Sequence, residues 1–262
     1  MTRIIAIANQ KGGVGKTTTC VNLAASLAVM QQKVLVIDAD PQGNATMASG
    51  ISKYDVETSI RHVLIDSVDI IDALVTETEG AYHLIPADDE LGTAEFKLRD
   101  FLMREVRLKN ALAPIKDNYD YIFIDCPPSL NYLTINAMCA AESILVPLQC
   151  EYFALEGLTL LIDTVDKLGR EVNPSLHIEG ILRTMYDNRN RLSSDVSNDL
   201  QNSFGDLVYK TIIPRNVRLA EAPSFGKPVI YYDKSSQGAK AYLALASEIL
   251  EKDLLEANGV SK

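Results

Sequence analysis

The chain has 262 residues, of which 47% are hydrophobic and 23% charged, proportions that exclude a disordered or fibrous chain and leave enough apolar surface for a sizeable core. With 35 acidic residues against 25 basic ones the net charge is −10, which excludes a uniformly basic surface, so any DNA binding needs a local patch. Four cysteines (Cys20, Cys126, Cys139, Cys150) and three histidines are scattered without a CxxC pair, against a zinc or iron–sulfur framework and in favour of buried, reduced thiols. No apolar run has the length of a membrane span and no signal-peptide block opens the chain, so a soluble cytoplasmic protein is expected.

In chain order, 3–8 (RIIAIA) reads as a strand and 17–30 as a helix, followed by a strand over 33–38 (KVLVID) and a turn-rich segment over 39–44. The patterns at 59–74 and 91–115 predict helices, with a short strand at 81–85 between them. Further strands are expected at 121–125 (YIFID), 143–148, 178–185 and 210–213. Helices are expected at 132–141, 155–168, 193–204 and 238–255. Apolar strands alternating with amphipathic helices predict one doubly wound α/β domain, a mostly parallel sheet with helices on both faces. Ligands of such sheets sit beyond the carboxyl ends of the strands, which points to the loops after Ala8, Asp38 and Asp125.

The first of these loops reads Lys11-Gly12-Gly13-Val14-Gly15-Lys16-Thr17-Thr18 and leads into a helix. The three glycines let backbone N–H groups approach phosphate oxygens, and the helix N-terminus adds free donors and a favourable dipole. Lys16 supplies a point charge for the β- and γ-phosphates, and the Thr17 hydroxyl can ligate Mg²⁺. The pattern G-x-x-x-x-G-K-[ST] is incomplete, because Gln10 occupies the position of its first glycine. A glycine-rich turn alone explains the glycines but not the lysines on either side. The second loop, Asp38-Ala39-Asp40-Pro41-Gln42-Gly43-Asn44, sets two carboxylates at a strand end, and the third, Asp125-Cys126-Pro127-Pro128-Ser129, one. An apolar strand ending in Asp can hold a Mg²⁺-bound water, and the prolines stiffen its exit. For Cys126 a packing role is the expected one.

Segment 11–18 resembles the deviant Walker A box of the ParA/MinD family of dimerising ATPases, in which the extra lysine, here Lys11, is the signature residue. The likeness extends over 9–44, 121–129, 147–157 and 213–247, and 214–218 with 221–228 is typical of the chromosome-partitioning (Soj/ParA) branch. The resemblance implies a P-loop NTPase fold, ATP and Mg²⁺ as ligands, and a homodimer closed over two nucleotides in which Lys11 reaches the partner's phosphates. It implies that Asp40 positions the attacking water, that Asp38 and Asp125 serve the Mg²⁺ shell with Thr17, and that Pro214 and Asn216 contact the adenine. It also implies nonspecific binding of double-stranded DNA through Arg189 and Arg218 and stimulation of a slow hydrolysis by a ParB-type centromere-binding protein, on the nucleoid.

The charge distribution agrees with a DNA patch without requiring one: residues 180–240 hold nine Lys/Arg against six Asp/Glu, a local +3, which by itself describes an ordinary solvated face equally well. A membrane-targeting MinD-like protein is disfavoured by the acidic last helix (Glu248, Glu251, Asp253, Glu256). Iron–sulfur relatives are disfavoured by the cysteine positions. Plasmid-type relatives with an operator-binding helix-turn-helix are disfavoured because the first strand begins at Arg3, so residues 1–262 are expected to be a single ATPase domain. A metabolic ligase of the same fold class, such as a dethiobiotin synthetase-like enzyme, shares only the phosphate loop. The role of 51–112 is open beyond helical packing.

Overall fold

Seven apolar runs pair side by side in one sheet of order β3-β2-β4-β1-β5-β6-β7. The computed structural model describes residues 2–257. Its strands are β1 (Arg3–Ile7), β2 (Val34–Asp38), β3 (His83–Ile85), β4 (Tyr121–Asp125), β5 (Ser143–Gln149), β6 (His177–Tyr186) and β7 (Val208–Pro214). Every pairing between them is parallel, and the isolated bridge Val75–Leu84 is antiparallel. The helices are α1 (Lys16–Val29), α2 (Asn44–Ala48), α3 (Ile60–Ile65), α4 (Gly92–Leu98), α5 (Arg107–Leu112), α6 (Tyr132–Ala140), α7 (Ala154–Glu171), α8 (Arg191–Phe204), α9 (Val217–Glu221), α10 (Val229–Tyr232) and α11 (Gln237–Ala257).

The strands are apolar throughout because both faces of the sheet are covered. Ile4, Ala6, Ile122 and Ile124 point into one core with α3 to α8. Their neighbours Ile5, Ile7 and Phe123 point into a second core with α1 and α11, where Leu23, Tyr242 and Leu245 are fully enclosed. This two-residue alternation fixes the register, since a slip by one residue would exchange the cores. All strands run the same way, so the loops after β1, β2, β4, β6 and β7 gather at one edge of the sheet.

The predicted strands are present with boundaries shifted by no more than about two residues. Two predicted helices are broken. The first, 59–74, stops at Ile65, because Ser67 takes a left-handed φ of 57° and a 3₁₀ turn over Ile70–Ala73 follows, with Asp69 as its cap accepting from Ile71 N–H. The Arg107 side chain closes the end of α3 by donating to the Leu64 carbonyl and to Ser67 Oγ (3.0 Å). The second, 91–115, is divided between α4 and α5 at Met103, with φ 53°. Asn136 of α6 stitches that gap, donating to the Arg104 carbonyl at 2.7 Å and accepting from Leu108 N–H at 3.1 Å.

Candidate active site

The loop after β1 is braced before it turns. Asn9 donates through Nδ2 to the Pro147 carbonyl at 2.8 Å and accepts from Lys11 N–H at 2.9 Å. Gly13 and Gly15 then adopt φ of 75° and 91°, the left-handed region that a side chain strains. Gly15 caps α1 without a side-chain acceptor, which leaves first-turn N–H groups for a ligand. The far wall comes from β6, where Thr184 Oγ1 donates to the Val14 carbonyl at 2.7 Å.

Around this loop lies a cleft of about 290 Å³ walled by Gly12, Gly13, Lys16, Thr17, Thr18 and Asp40, with Gln42, Asn44, Pro128 and Met185 completing it. A more apolar cavity of about 170 Å³ adjoins it and is lined by Ile213, Pro214, Asn216, Leu219 and Tyr242; Gly15, Thr18 and Met185 belong to both. The pair of cavities is a polar, glycine-lined compartment continuous with an apolar slot, a shape suited to a phosphate chain and a base.

The electrostatics of the cleft are unsettled. Thr17 Oγ1 donates to Asp125 Oδ2 at 2.7 Å, while Asp125 Oδ1 is buried with no hydrogen-bond partner among the described residues. Asp38 and Asp125 are register partners at the ends of β2 and β4. Burial pushes the Asp125 carboxyl well above the usual carboxylate range, and the charge of Asp38 pushes it further. Burial raises Asp38 to about 6, against the hydrogen bonds it accepts from Thr46. Burial lowers the Lys16 ammonium despite the attraction of Asp125 and Asp40. The orphaned oxygen and the adjacent hydroxyl are hard donors beside a phosphate-binding loop, a set that fits Mg²⁺. Among the described residues no group of three or more His, Cys, Asp or Glu is placed to hold a metal ion.

The sequence-predicted residues are placed as follows. Gly12, Gly13, Gly15, Lys16, Thr17, Thr18 and Asp40 line the cleft, and Pro214 and Asn216 the apolar slot. Asp40 Oδ1 accepts from Gln42 N–H at 2.9 Å, and the Asn216 side chain caps α9 by accepting from Leu219 N–H at 3.3 Å. Val14 turns its side chain into the interior, so it offers only its backbone. Asp38 lies behind the cleft wall: Oδ2 accepts from Thr46 N–H and Thr46 Oγ1, both at 2.7 Å, and Oδ1 from Asp40 N–H at 3.2 Å, which holds the loop that carries Asp40. Lys11 is exposed, does not line the cleft and pairs with Glu151. Arg189 and Arg218 stand outside the cleft, the first gripped by Asp187 at 2.8 and 2.9 Å, the second by Glu221 at 2.8 Å and Asp233 at 3.4 Å.

Thr184, Met185 and Tyr242 line the site without a motif of their own; the signal for the first two was their place at the carboxyl end of a parallel strand. All four thiols are buried, and burial raises the pKa of Cys126 far from the reactive range, in keeping with a packing role. Among the described residues, no helix is long and apolar enough to cross a membrane.

Residues 2–178 match the family described as AAA domain. The chain is 54% identical over 249 residues to the sporulation initiation inhibitor protein Soj of Bacillus subtilis, covering 95% of this chain and 98% of that protein. It is 50% identical over 253 residues to the chromosome partitioning protein ParA of Caulobacter vibrioides, covering 96% and 95%. Among solved structures it superimposes on the cobyrinic acid a,c-diamide synthase of Mycobacterium smegmatis with bound ATP analog and magnesium, with TM-score 0.83, 37% identity and 95% of each chain covered. The K-G-G-x-G-K-T loop on a parallel sheet and relatives that match nearly end to end agree: the chain belongs to the ParA/MinD family of deviant Walker A ATPases, on its Soj/ParA branch.

Proposed function

We propose that the protein is a partitioning ATPase, a switch whose grip on DNA is set by ATP. The observation that carries the reading is the division of labour between two lysines of one loop. Lys16 is buried and lines the cleft, whereas Lys11 is exposed, absent from the cleft walls and paired with Glu151. A phosphate-loop lysine that does not face its own cleft suits action on a second molecule's nucleotide, as in an ATP-sandwich homodimer, with hydrolysis conditional on dimerisation.

In this reading the N–H groups of 12–18 and Lys16 hold the phosphates, and Pro214 and Asn216 border the base. Thr17 and Asp125 hold Mg²⁺, with Asp38 contributing charge from behind. When bound, the ion neutralises charge on the phosphate oxygens. Asp40 orients the attacking water, and closure of the dimer brings Lys11 to the partner's cleft. DNA binds by its backbone, without base reading, through Arg189 and Arg218. A ParB-type protein accelerates an otherwise slow, Mg²⁺-dependent turnover, and the ATPase unit works in the cytoplasm on the nucleoid.

The deciding variant is Asp40→Ala. It should bind ATP, dimerise and hold nonspecific duplex DNA while failing to hydrolyse; normal hydrolysis would remove Asp40 from its role. A small-molecule ligase is the second reading, favoured by the likeness to a structure named a synthase. It requires turnover indifferent to DNA and dimerisation, which the same assays measure.

A further inference from the structure

The basic excess of 180–240 is not spread evenly over the surface. Arg183 is buried, donating to Ser197 Oγ at 2.9 Å and to the Tyr209 carbonyl at 2.7 Å, so it cannot meet an outside ligand. Arg189, Arg191, Arg218 and Lys227 are each ion-paired within the chain. Among the described residues Lys210, Lys234, Arg215 and Lys240 are exposed without an ion pair, though Arg215 feels the charge of Asp187. Of these four, Arg215 and Lys240 line one open groove of about 670 Å³, formed where β6 and β7 end beside the start of α11, together with Arg189, Asp187, Asn188 and Gln237.

We propose that this groove seats the phosphate backbone of duplex DNA, with Arg215 and Lys240 as its standing cations and Asp187 as an internal competitor that holds Arg189 until a phosphate displaces it. The inference rests on the DNA-binding reading above and adds to it the seat and its regulation. The groove carries cations in a chain of net charge −10, so its complement is a polyanion. Asp187 grips Arg189 through two parallel N–H···O bonds, a fork that fits a phosphate equally well. Those bonds hold the Asp187 carboxyl down at about 2, so it stays ionised at any physiological pH and the exchange is a competition between anions.

The position of the groove ties it to the nucleotide. Pro214 and Arg215 line both the groove and the apolar slot of the active site. Asp187 follows by two residues Met185, which borders both parts of the nucleotide site and holds a left-handed φ of 49°. Two short backbone stretches, 185–187 and 214–215, therefore serve as walls of both sites. Filling the slot bears on the same backbone that presents Asp187 and Arg215 to the groove.

The test is binding of a labelled mixed-sequence duplex to the ATP-loaded protein across several salt concentrations, for wild type, Asp187→Asn and Lys240→Ala. Asparagine keeps the carbonyl that accepts Arg189 N–H, at 3.0 Å from Asp187 Oδ1, so the turn is preserved while the competing charge is lost. Asp187→Asn should bind roughly 3- to 10-fold tighter, with a log–log salt slope steeper by about one; Lys240→Ala should bind weaker by a similar factor with a slope shallower by about one. Wild-type binding that both substitutions leave unchanged in affinity and slope overturns the groove and leaves the DNA reading standing. Changes that merely follow a change in nucleotide affinity, measured in parallel, also overturn it. Absence of DNA binding by ATP-loaded wild type overturns the DNA reading and the groove together.

Discussion

The two ends of the sheet both bury carboxylates, and they treat them in opposite ways. At the amino ends of the strands Glu179 of β6 is 1% exposed and fully engaged. It accepts from Ser143 Oγ at 3.0 Å, from Lys252 Nζ at 3.1 Å and from the Arg3 guanidinium, which also binds Asp253 of α11. Burial alone would raise the Glu179 carboxyl, but Arg3 and Lys252 outweigh it and hold the group below its ordinary value. At the carboxyl ends Asp38 and Asp125 are as deeply buried and are pushed upward, one oxygen of Asp125 having no hydrogen-bond partner among the described residues. At similarly low exposure the opposite shifts separate Glu179, whose charge is met by two paired cations, from Asp38 and Asp125, which face each other with no ion pair among the described residues.

The sharpest way to break this contrast is to neutralise one carboxylate at each end. Asp125→Asn should cut ATP turnover by about 10²-fold or more. The nucleotide-free protein should nonetheless melt no lower than wild type, because a costly buried charge has gone. Glu179→Ala should do the reverse. It leaves Arg3 and Lys252 without their shared anion and should cost about 3 kcal/mol in urea unfolding, with turnover per folded molecule retained. A stable Glu179→Ala, or an Asp125→Asn that loses several degrees of melting temperature, would erase the distinction.

Titration should reveal the same opposition at smaller amplitude. The Glu179 carboxyl is depressed in the folded state, so its stabilisation is present above its ordinary value of 4.5 and lost as pH falls through the lower folded value. Asp38 is raised from 3.8 to about 6, so its contribution is complete below 3.8 and lost as pH rises through about 6. Between pH 7 and 5 the nucleotide-free protein should therefore gain stability from the active-site end, and acidification below about 4.5 should remove stability at the other end. Thermal melts of wild type and Glu179→Gln resolve the two, since only the acid-side loss should shrink in the variant.

The two ends also differ in how far the sequence reveals them. The active-site end was legible because a phosphate loop is contiguous: Gly12 to Thr18 carry their chemistry within seven positions, and Asp38 and Asp125 close apolar runs that mark strand ends. The Glu179 cluster draws on β1, β5, β6 and α11, and no local pattern links Arg3 to a residue 250 positions away. The same reason explains the broken helices. The apolar periodicity of 59–74 and 91–115 is real, but the breaks at Ser67 and Met103 are held by Arg107 and Asn136, which reach them from other segments. Nor could composition show that Arg183 points inward or that Asp187 masks Arg189.

The weakest of these contacts is the one on which the proposed switch would turn. Lys11 and Glu151 pair with side chains 47% and 45% exposed, where water screens the attraction and an ion pair is worth about 0–1 kcal/mol. Glu151→Gln should accordingly shift unfolding by no more than about 0.5 kcal/mol, far less than Glu179→Ala. A tether that weak still matters if the free lysine is what the second protomer needs, because every dimer then forms at the expense of the pair. Releasing Lys11 should lower the protein concentration for ATP-dependent dimerisation by roughly 2- to 5-fold, the factor that corresponds to two exposed pairs, one per protomer, of up to about 0.5 kcal/mol each. Light scattering or sedimentation with ATP and Mg²⁺ measures it, on the Asp40→Ala background so that hydrolysis does not dissolve the dimer. An unchanged midpoint for Glu151→Gln would mean that Lys11 leaves its partner at no measurable cost, and the restraint on dimerisation would then have to lie elsewhere in the cleft.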